Sequence, residues 1–256
     1  MQQTTEEPIG LLIVGHGTRD SAGIAEFQET VERVARRLPQ VVVEGGFLEL
    51  AEPSIDAAFD RLVDRGVRQV AAAPLVLFAA GHAKRDIPAA ISAAAARHDM
   101  PAPRQLPHLG CHPELIQLSV KRYDEVVEQL PSVADSQTLL LMVGRGSSDA
   151  TANAEMARFT RLRWEARRVG WHETCFAALA EPSLERAMDV IARLPYRRVV
   201  VQPHLLFQGE LLRGIRHTVE THARRWPQVE SIVAGHLGPD EAIAEAVVER
   251  FVRFRE

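Results

Sequence analysis

The chain is poor in cysteine. Among 256 residues there are two, Cys111 and Cys175, far apart and in no Cys-x-x-Cys pair. That excludes a disulfide framework, and a four-cysteine zinc or iron–sulfur site within one chain. Aromatic side chains are scarce, at 5%, so stacking platforms for single-stranded bases are not expected. There is no excess of positive charge: Lys and Arg total 30 against 34 Asp and Glu, a formal charge of -4. A mildly acidic chain lacks the basic footprint of a nucleic-acid binder. Long apolar runs are missing too. A run such as Ile9 to Val14 falls far short of the roughly 20 residues that cross a bilayer. The opening residues Met1-Gln2-Gln3-Thr4-Thr5-Glu6-Glu7 have no basic stretch and do not read as a secretory signal. The expectation is a cytoplasmic protein with neither nucleic acid nor membrane as partner. What is present is an ordinary globular composition, 46% hydrophobic and 25% charged, sized for one large domain or two small ones.

The chain repeats itself. Gly15-His16-Gly17-Thr18-Arg19-Asp20 matches Gly144-Arg145-Gly146-Ser147-Ser148-Asp149, and each follows an apolar run. Glu52-Pro53-Ser54 matches Glu181-Pro182-Ser183, and Pro74-Leu75-Val76-Leu77-Phe78 matches Pro203-His204-Leu205-Leu206-Phe207. All three pairs hold one offset of 129 residues (16 to 145, 53 to 182, 74 to 203). A common register over separate segments marks an internal duplication. The turn-rich stretch near Pro131–Ser136 divides it, giving a lobe of residues 1–134 and a lobe of residues 135–256.

Each repeat alternates strand and helix patterns. In the first, Ile9–Val14 is a continuous apolar run suited to a buried parallel strand. Ala22–Leu38 has helical spacing, Val41–Leu48 is strand-like, and Pro53 suits the first turn of a helix that ends at Gly66. A third strand lies within Val67–Leu77, followed by a helix over Asp86–Arg97, a short strand Gln105–Leu109 and a helix Pro113–Gln129. The second repeat follows the same plan, with strands near Leu139–Val143, Glu173–Leu179, Arg198–Gln202 and Val229–Val233. Alternating βα units imply parallel sheets with helices on both faces, and right-handed crossovers narrow the topology. The fold class is therefore α/β, with two flavodoxin-like lobes, each a four-stranded parallel sheet flanked by helices, facing each other across a cleft.

Ligands of open α/β sheets bind at the carboxyl ends of the strands. Three polar residues of the first repeat fall there: His16 after strand one, Glu49 at the end of strand two, and His82 in the loop after strand three. Two imidazoles and a carboxylate make a mixed N/O site for a divalent first-row metal, with positions left open for water or substrate. Each alone also fits a plain role: His16 could cap a helix, Glu49 could be a surface charge, and His82 could be merely solvated. The duplication separates these readings. The equivalents of the three are Arg145, Ala178 and Leu211, while the glycines, Glu-Pro-Ser and Pro-x-x-x-Phe around them are kept. Joint presence in one repeat and joint loss in the other indicates that the three act as a unit. The remaining histidines show no metal-ligand spacing. His204 follows a strand and could line the cleft, and His112 reads as a helix-start residue.

Val14-Gly15-His16-Gly17-Thr18-Arg19, Phe47-Leu48-Glu49-Leu50-Ala51-Glu52-Pro53-Ser54-Ile55 and the Pro74 to Pro88 segment with Gly81-His82 together resemble the sirohydrochlorin chelatase family of class II chelatases. The resemblance covers both repeats and matches the long, fused form; short members carry one lobe and dimerise. It implies a chelatase-like fold and insertion of Co2+, Fe2+ or Ni2+ into a tetrapyrrole, the metal being a substrate and no nucleotide being used. It places metal-binding histidines at His16 and His82, a cleft glutamate at Glu49, and a substrate-contacting loop over Leu77, Phe78, Ala79, Ala80, Gly81 and His82. The His-rich tail and cysteine cluster of some long members are absent. His16 is assigned as ligand and general base, since imidazole titrates near neutrality, with His82 as second ligand. Glu49 could orient a histidine, bind the metal or carry the proton onward.

Sirohydrochlorin carries carboxylates around its rim, and guanidinium groups bind carboxylates in bidentate fashion. Arg19, Lys84, Arg85, Arg145 and Arg213 all fall in expected strand-end loops and are the candidate rim contacts. A fused chain completes its cleft as a monomer, and a homodimer stays open as an alternative. Three rival readings exist. One is a metal carrier without turnover. Another is a histidine phosphatase, whose Arg-His-Gly signature Gly15-His16-Gly17 resembles but for the missing arginine. The third, a periplasmic-type binding protein, is disfavoured by the absence of a signal sequence.

Overall fold

The structure, a computed structural model, describes residues 9–255, except for the side chains of His82 and Ala83. Met1–Glu7, which bear on the reading of a secretory signal, lie outside the described residues. In the first repeat the chain forms β1 (Ile9–Gly15), α1 (Ser21–Arg37), β2 (Val42–Phe47), α2 (Ile55–Asp64), β3 (Gln69–Pro74), α3 (Gly81–Ala96), β4 (Arg104–Gln105) and α4 (Pro113–Val127). In the second it forms β5 (Thr138–Gly144), α5 (Ala150–Ala166), β6 (Trp171–Phe176), α6 (Leu184–Ile191), β7 (Arg198–Pro203), α7 (Glu210–Arg225), β8 (Glu230–Val233) and α8 (Glu241–Arg255). Among the described residues no helix is long and apolar enough to cross a membrane.

Two parallel sheets result, ordered β2-β1-β3-β4 and β6-β5-β7-β8, the flavodoxin-like order with one strand fewer. Registers repeat: Gly15 pairs with Phe47 and Val14 with Pro74, as Gly144 pairs with Phe176 and Val143 with Pro203. The central strands are apolar throughout because both faces are covered. Leu11 to Val14 and Leu139 to Val143 are wholly buried. Leu12 and Val14 pack with Ile55, Phe59 and Leu62 of α2 and Ile87 and Ile91 of α3. Leu139, Leu141 and Val143 pack with Leu184 and Met188 of α6 and Ile215 and Val219 of α7.

The compact units do not follow the repeats. One comprises residues 1–109 and 239–256, the other residues 110–238. The expected lobes 1–134 and 135–256 thus differ from the packed bodies by an exchange of last helices. The physical reason is where each apolar face finds cover. In α4, Leu115, Leu118, Ser119 and Tyr123 are buried. There the Arg163 guanidinium lies 5.1 Å from the Tyr123 ring, and Gln202 Nε2 donates to the Ser119 carbonyl at 2.5 Å. In α8, Ile243, Val247 and Phe251 are buried, α8 packs against α1, and Arg250 Nη2 donates to the Leu109 carbonyl at 2.7 Å.

Local departures from the sequence reading have local causes. Pro53 precedes α2 rather than lying in it; Ser54 is the cap, its hydroxyl accepting from Ala57 N at 3.2 Å. α3 begins at Gly81, not Asp86, and contains Pro88; its cap, Ala80, makes no side-chain hydrogen bond, so no capping residue marks the start. β4 is two residues long, since Leu106 N still reaches the Ala72 carbonyl at 2.8 Å but Pro107 has no N–H to continue the ladder. β2 and β6 stop at Phe47 and Phe176, leaving Glu49 in the following loop.

Candidate functional site

The loops after β1 and β2 are stitched together beyond the strand ends. Leu48 N donates to the Gly15 carbonyl at 2.9 Å, and Glu49 N to the His16 carbonyl at 3.0 Å. Gly17 makes this approach possible. Its φ is +108°, and a Cβ there would stand 1.7 Å from the Glu49 carbonyl oxygen, so no side chain fits. The loop then closes on Asp20, which caps α1 by accepting from Ala22 N at 3.0 Å and Gly23 N at 3.3 Å. The result places His16 Nδ1 3.5 Å from Glu49 Oε1, the imidazole 31% and the carboxylate 51% exposed. A carboxylate facing Nδ1 favours the tautomer with its proton on that nitrogen. Nε2 then keeps a lone pair for a metal or a proton.

His82 is the second residue of α3, in the first turn of the helix after β3 rather than in a loop. Its side chain lies outside the described residues, so the described geometry covers the His16–Glu49 pair and not the trio. Among the described residues no three His, Cys, Asp or Glu side chains gather into a metal-holding group. Leu77, Phe78, Ala79, Ala80 and Gly81 are all partly exposed, and Leu75 N anchors the segment to the Val14 carbonyl at 2.8 Å.

The basic candidates divide. Arg19 and Arg145 are exposed in the loops after β1 and β5, as expected. Lys84 and Arg85 belong to α3, and Arg213 to α7, because both helices begin earlier than the sequence pattern indicates. Arg213 pairs with Glu210 one turn away at 2.6 Å. His112 caps α4, its Nδ1 accepting from Glu114 N at 3.4 Å, the helix-start role expected of it. His204 lines no opening: it is 2% exposed, with its ring centroid 3.9 Å from that of Phe159, and burial pushes its imidazole down to about 3.

The second repeat keeps the frame and drops the chemistry. Ala178 N donates to the Arg145 carbonyl at 2.9 Å, and Gly146, with φ +85°, has no room for a Cβ against the Ala178 carbonyl, 1.9 Å away. The backbone that joins His16 to Glu49 therefore joins Arg145 to Ala178. Sequence reasoning missed one feature of both loops. Leu50 and Leu179 have φ of 64° and 56°, and side-chain type carries no signal of that conformation.

Fold and site define a duplicated flavodoxin-like α/β protein with an imidazole–carboxylate pair at the strand ends of its first sheet. The family model CbiX matches twice, over residues 10–126 and 139–253. The sirohydrochlorin cobaltochelatase of Priestia megaterium is 30% identical over 249 residues, 94% of this chain and 78% of that protein. The sirohydrochlorin ferrochelatase of the same organism is 30% identical over 234 residues, 91% of this chain and 86% of that protein. SirB from Bacillus subtilis, solved with Fe3+, superposes with a TM-score of 0.85 at 25% identity, covering 96% of this chain and 95% of that one. The chain belongs to the CbiX family.

Proposed function

We propose that the protein inserts a divalent metal into sirohydrochlorin without a nucleotide. Co2+ is the first candidate, with Fe2+ and Ni2+ as alternatives of similar ligand preference. The observation that carries the reading is the His16–Glu49 pair at 3.5 Å, built on a loop frame that the second repeat retains without the pair. The family relationship to a cobaltochelatase and a ferrochelatase of sirohydrochlorin supports the substrate class.

Insertion requires that the metal lose water, that two pyrrole N–H protons leave, and that the macrocycle bend to present its nitrogens. In this reading His16 and His82 replace water on the metal, His82 holding it during transfer. The Glu49 carboxylate holds the His16 ring by Nδ1, so that Nε2 first ligates the metal and, after transfer, accepts the two pyrrole protons in turn, each passing on to solvent. One nitrogen cannot do both at once, so the roles alternate in time. Residues 1–134 carry these groups. Residues 135–256 carry no metal ligand set, and Arg145 offers its guanidinium to rim carboxylates, as do Arg19, Lys84 and Arg213 and the 77–82 segment to the macrocycle. The protein acts as a cytoplasmic monomer in this reading.

The test is spectrophotometric. Purified protein with sirohydrochlorin and each of Co2+, Fe2+ and Ni2+ is expected to exceed the uncatalysed rate. His16→Ala and His82→Ala are each expected to lower kcat/KM by about 100-fold or more. Metal binding without turnover would replace the chelatase by a carrier.

A further inference from the structure

Leu50 leaves half of an apolar side chain open to solvent in the loop after β2. It is 50% exposed, adjacent to Glu49, with φ of 64°. Ala51 N donates to the Glu49 carbonyl at 2.9 Å, closing a three-residue turn with Leu50 at its centre. A positive φ at the centre of such a turn is strained for any residue with a Cβ. The second repeat builds the same turn: Ala180 N donates to the Ala178 carbonyl at 2.7 Å, and Leu179, with φ of 56°, is 68% exposed. Glycine or asparagine would relieve both turns, yet both hold leucine, including the one whose neighbouring acid has become Ala178. The leucine is therefore not an accessory of the carboxylate. Backbone strain combined with exposed apolar surface at strand ends points to a role in function. A depression of 430 Å³ lies beside Leu50, lined by residues 47–52 and Ser54.

We infer that Leu50 is a substrate-contacting residue: its side chain is the apolar pad on which one face of the macrocycle rests beside the His16–Glu49 pair. This rests on the chelatase reading. A tetrapyrrole presents a flat apolar centre and a charged rim. Guanidinium groups answer the rim and the 77–82 segment follows β3, but beside the imidazole and carboxylate themselves the exposed apolar surface is that of Leu50, one residue from Glu49. Removal of a whole leucine side chain from such a contact weakens binding by about tenfold or more.

The experiment compares full-length wild type, Leu50→Gly, Leu50→Asn and Leu50→Met. Metal-free sirohydrochlorin is titrated by fluorescence quenching, Co2+ by calorimetry, and KM and kcat are measured with both. Leu50→Gly and Leu50→Asn are expected to raise the tetrapyrrole Kd and KM about tenfold or more. Co2+ affinity should be unchanged and Tm no lower than wild type, since both residues accept positive φ. Leu50→Met, which keeps the apolar surface, is expected to bind like wild type. Unchanged tetrapyrrole Kd and KM in both Leu50→Gly and Leu50→Asn would overturn the inference while leaving the chelatase reading intact. If wild type neither binds nor metallates sirohydrochlorin, the chelatase reading fails and this one with it.

Discussion

His204 shows how a residue read as a site candidate serves the core instead. Its repeat equivalent is Leu75, and both are buried at strand ends. Burial holds the His204 imidazole neutral, its pKa pushed down to about 3, whereas an unfolded imidazole takes a proton below about 6.5. Between those values the unfolded chain binds more protons than the folded one, so stability falls as pH falls through that window and is complete above it. The slope from this one group is at most about 1.4 kcal/mol per pH unit. His222, which burial also lowers, acts in the same direction. His204→Leu is expected to flatten the loss of stability between pH 6.5 and 4, read as the urea midpoint at each pH. Parallel losses in variant and wild type would assign the acid sensitivity elsewhere. At this scale His16 and Glu49 were legible because the duplication provides an internal comparison. The burial of His204 was not, since a histidine after a strand looks the same whether it faces solvent or Phe159.

Loops and helix starts form the next level. The loops after β1 and β2 meet because Gly17 has no side chain. Gly17→Ala would set a Cβ against the Glu49 carbonyl and force an L residue to φ +108°. A loss of about 2–4 kcal/mol is expected, with chelatase activity falling as His16 and Glu49 separate. Gly66→Ala, where φ is +81° and nothing lies within 4 Å, is the comparison: about 1–2 kcal/mol, with activity kept. Denaturation and turnover measured on both variants check this; equal effects on activity would show that the loop contact does not hold the site. The strands and most helices were readable from their apolar periodicity. The start of α3 was not, because Ala80 offers no capping side chain and Pro88 interrupts the pattern. Lys84 and Arg85 therefore lie in the helix, where the pattern alone predicts a loop. The same holds for Arg213 in α7, whose start is unmarked because Gly209 makes no side-chain cap.

The whole molecule reads as two repeats in sequence but packs as two units that trade their last helices. The exchange was illegible because Gly110–His112, which leads into α4, looks like any short βα connection; only the burial partners of Leu115, Leu118 and Tyr123 reveal where the helix docks. Residues 1–134 expressed alone retain α4 without α5, and an α1 face without α8. That fragment is expected to be a dimer or an aggregate by light scattering, with a soluble complex recovered when residues 135–256 are co-expressed. A folded monomer of 1–134 would contradict it.

The trade of helices also has a consequence for how the chain comes apart. The body of residues 110–238 is one continuous stretch that carries α4 to α7 together with β5 to β8, whereas the other must bring residues 239–256 back to residues 1–109. Residues 110–238 expressed alone should therefore unfold in one cooperative step on heating, and a fragment that shows no transition would contradict this.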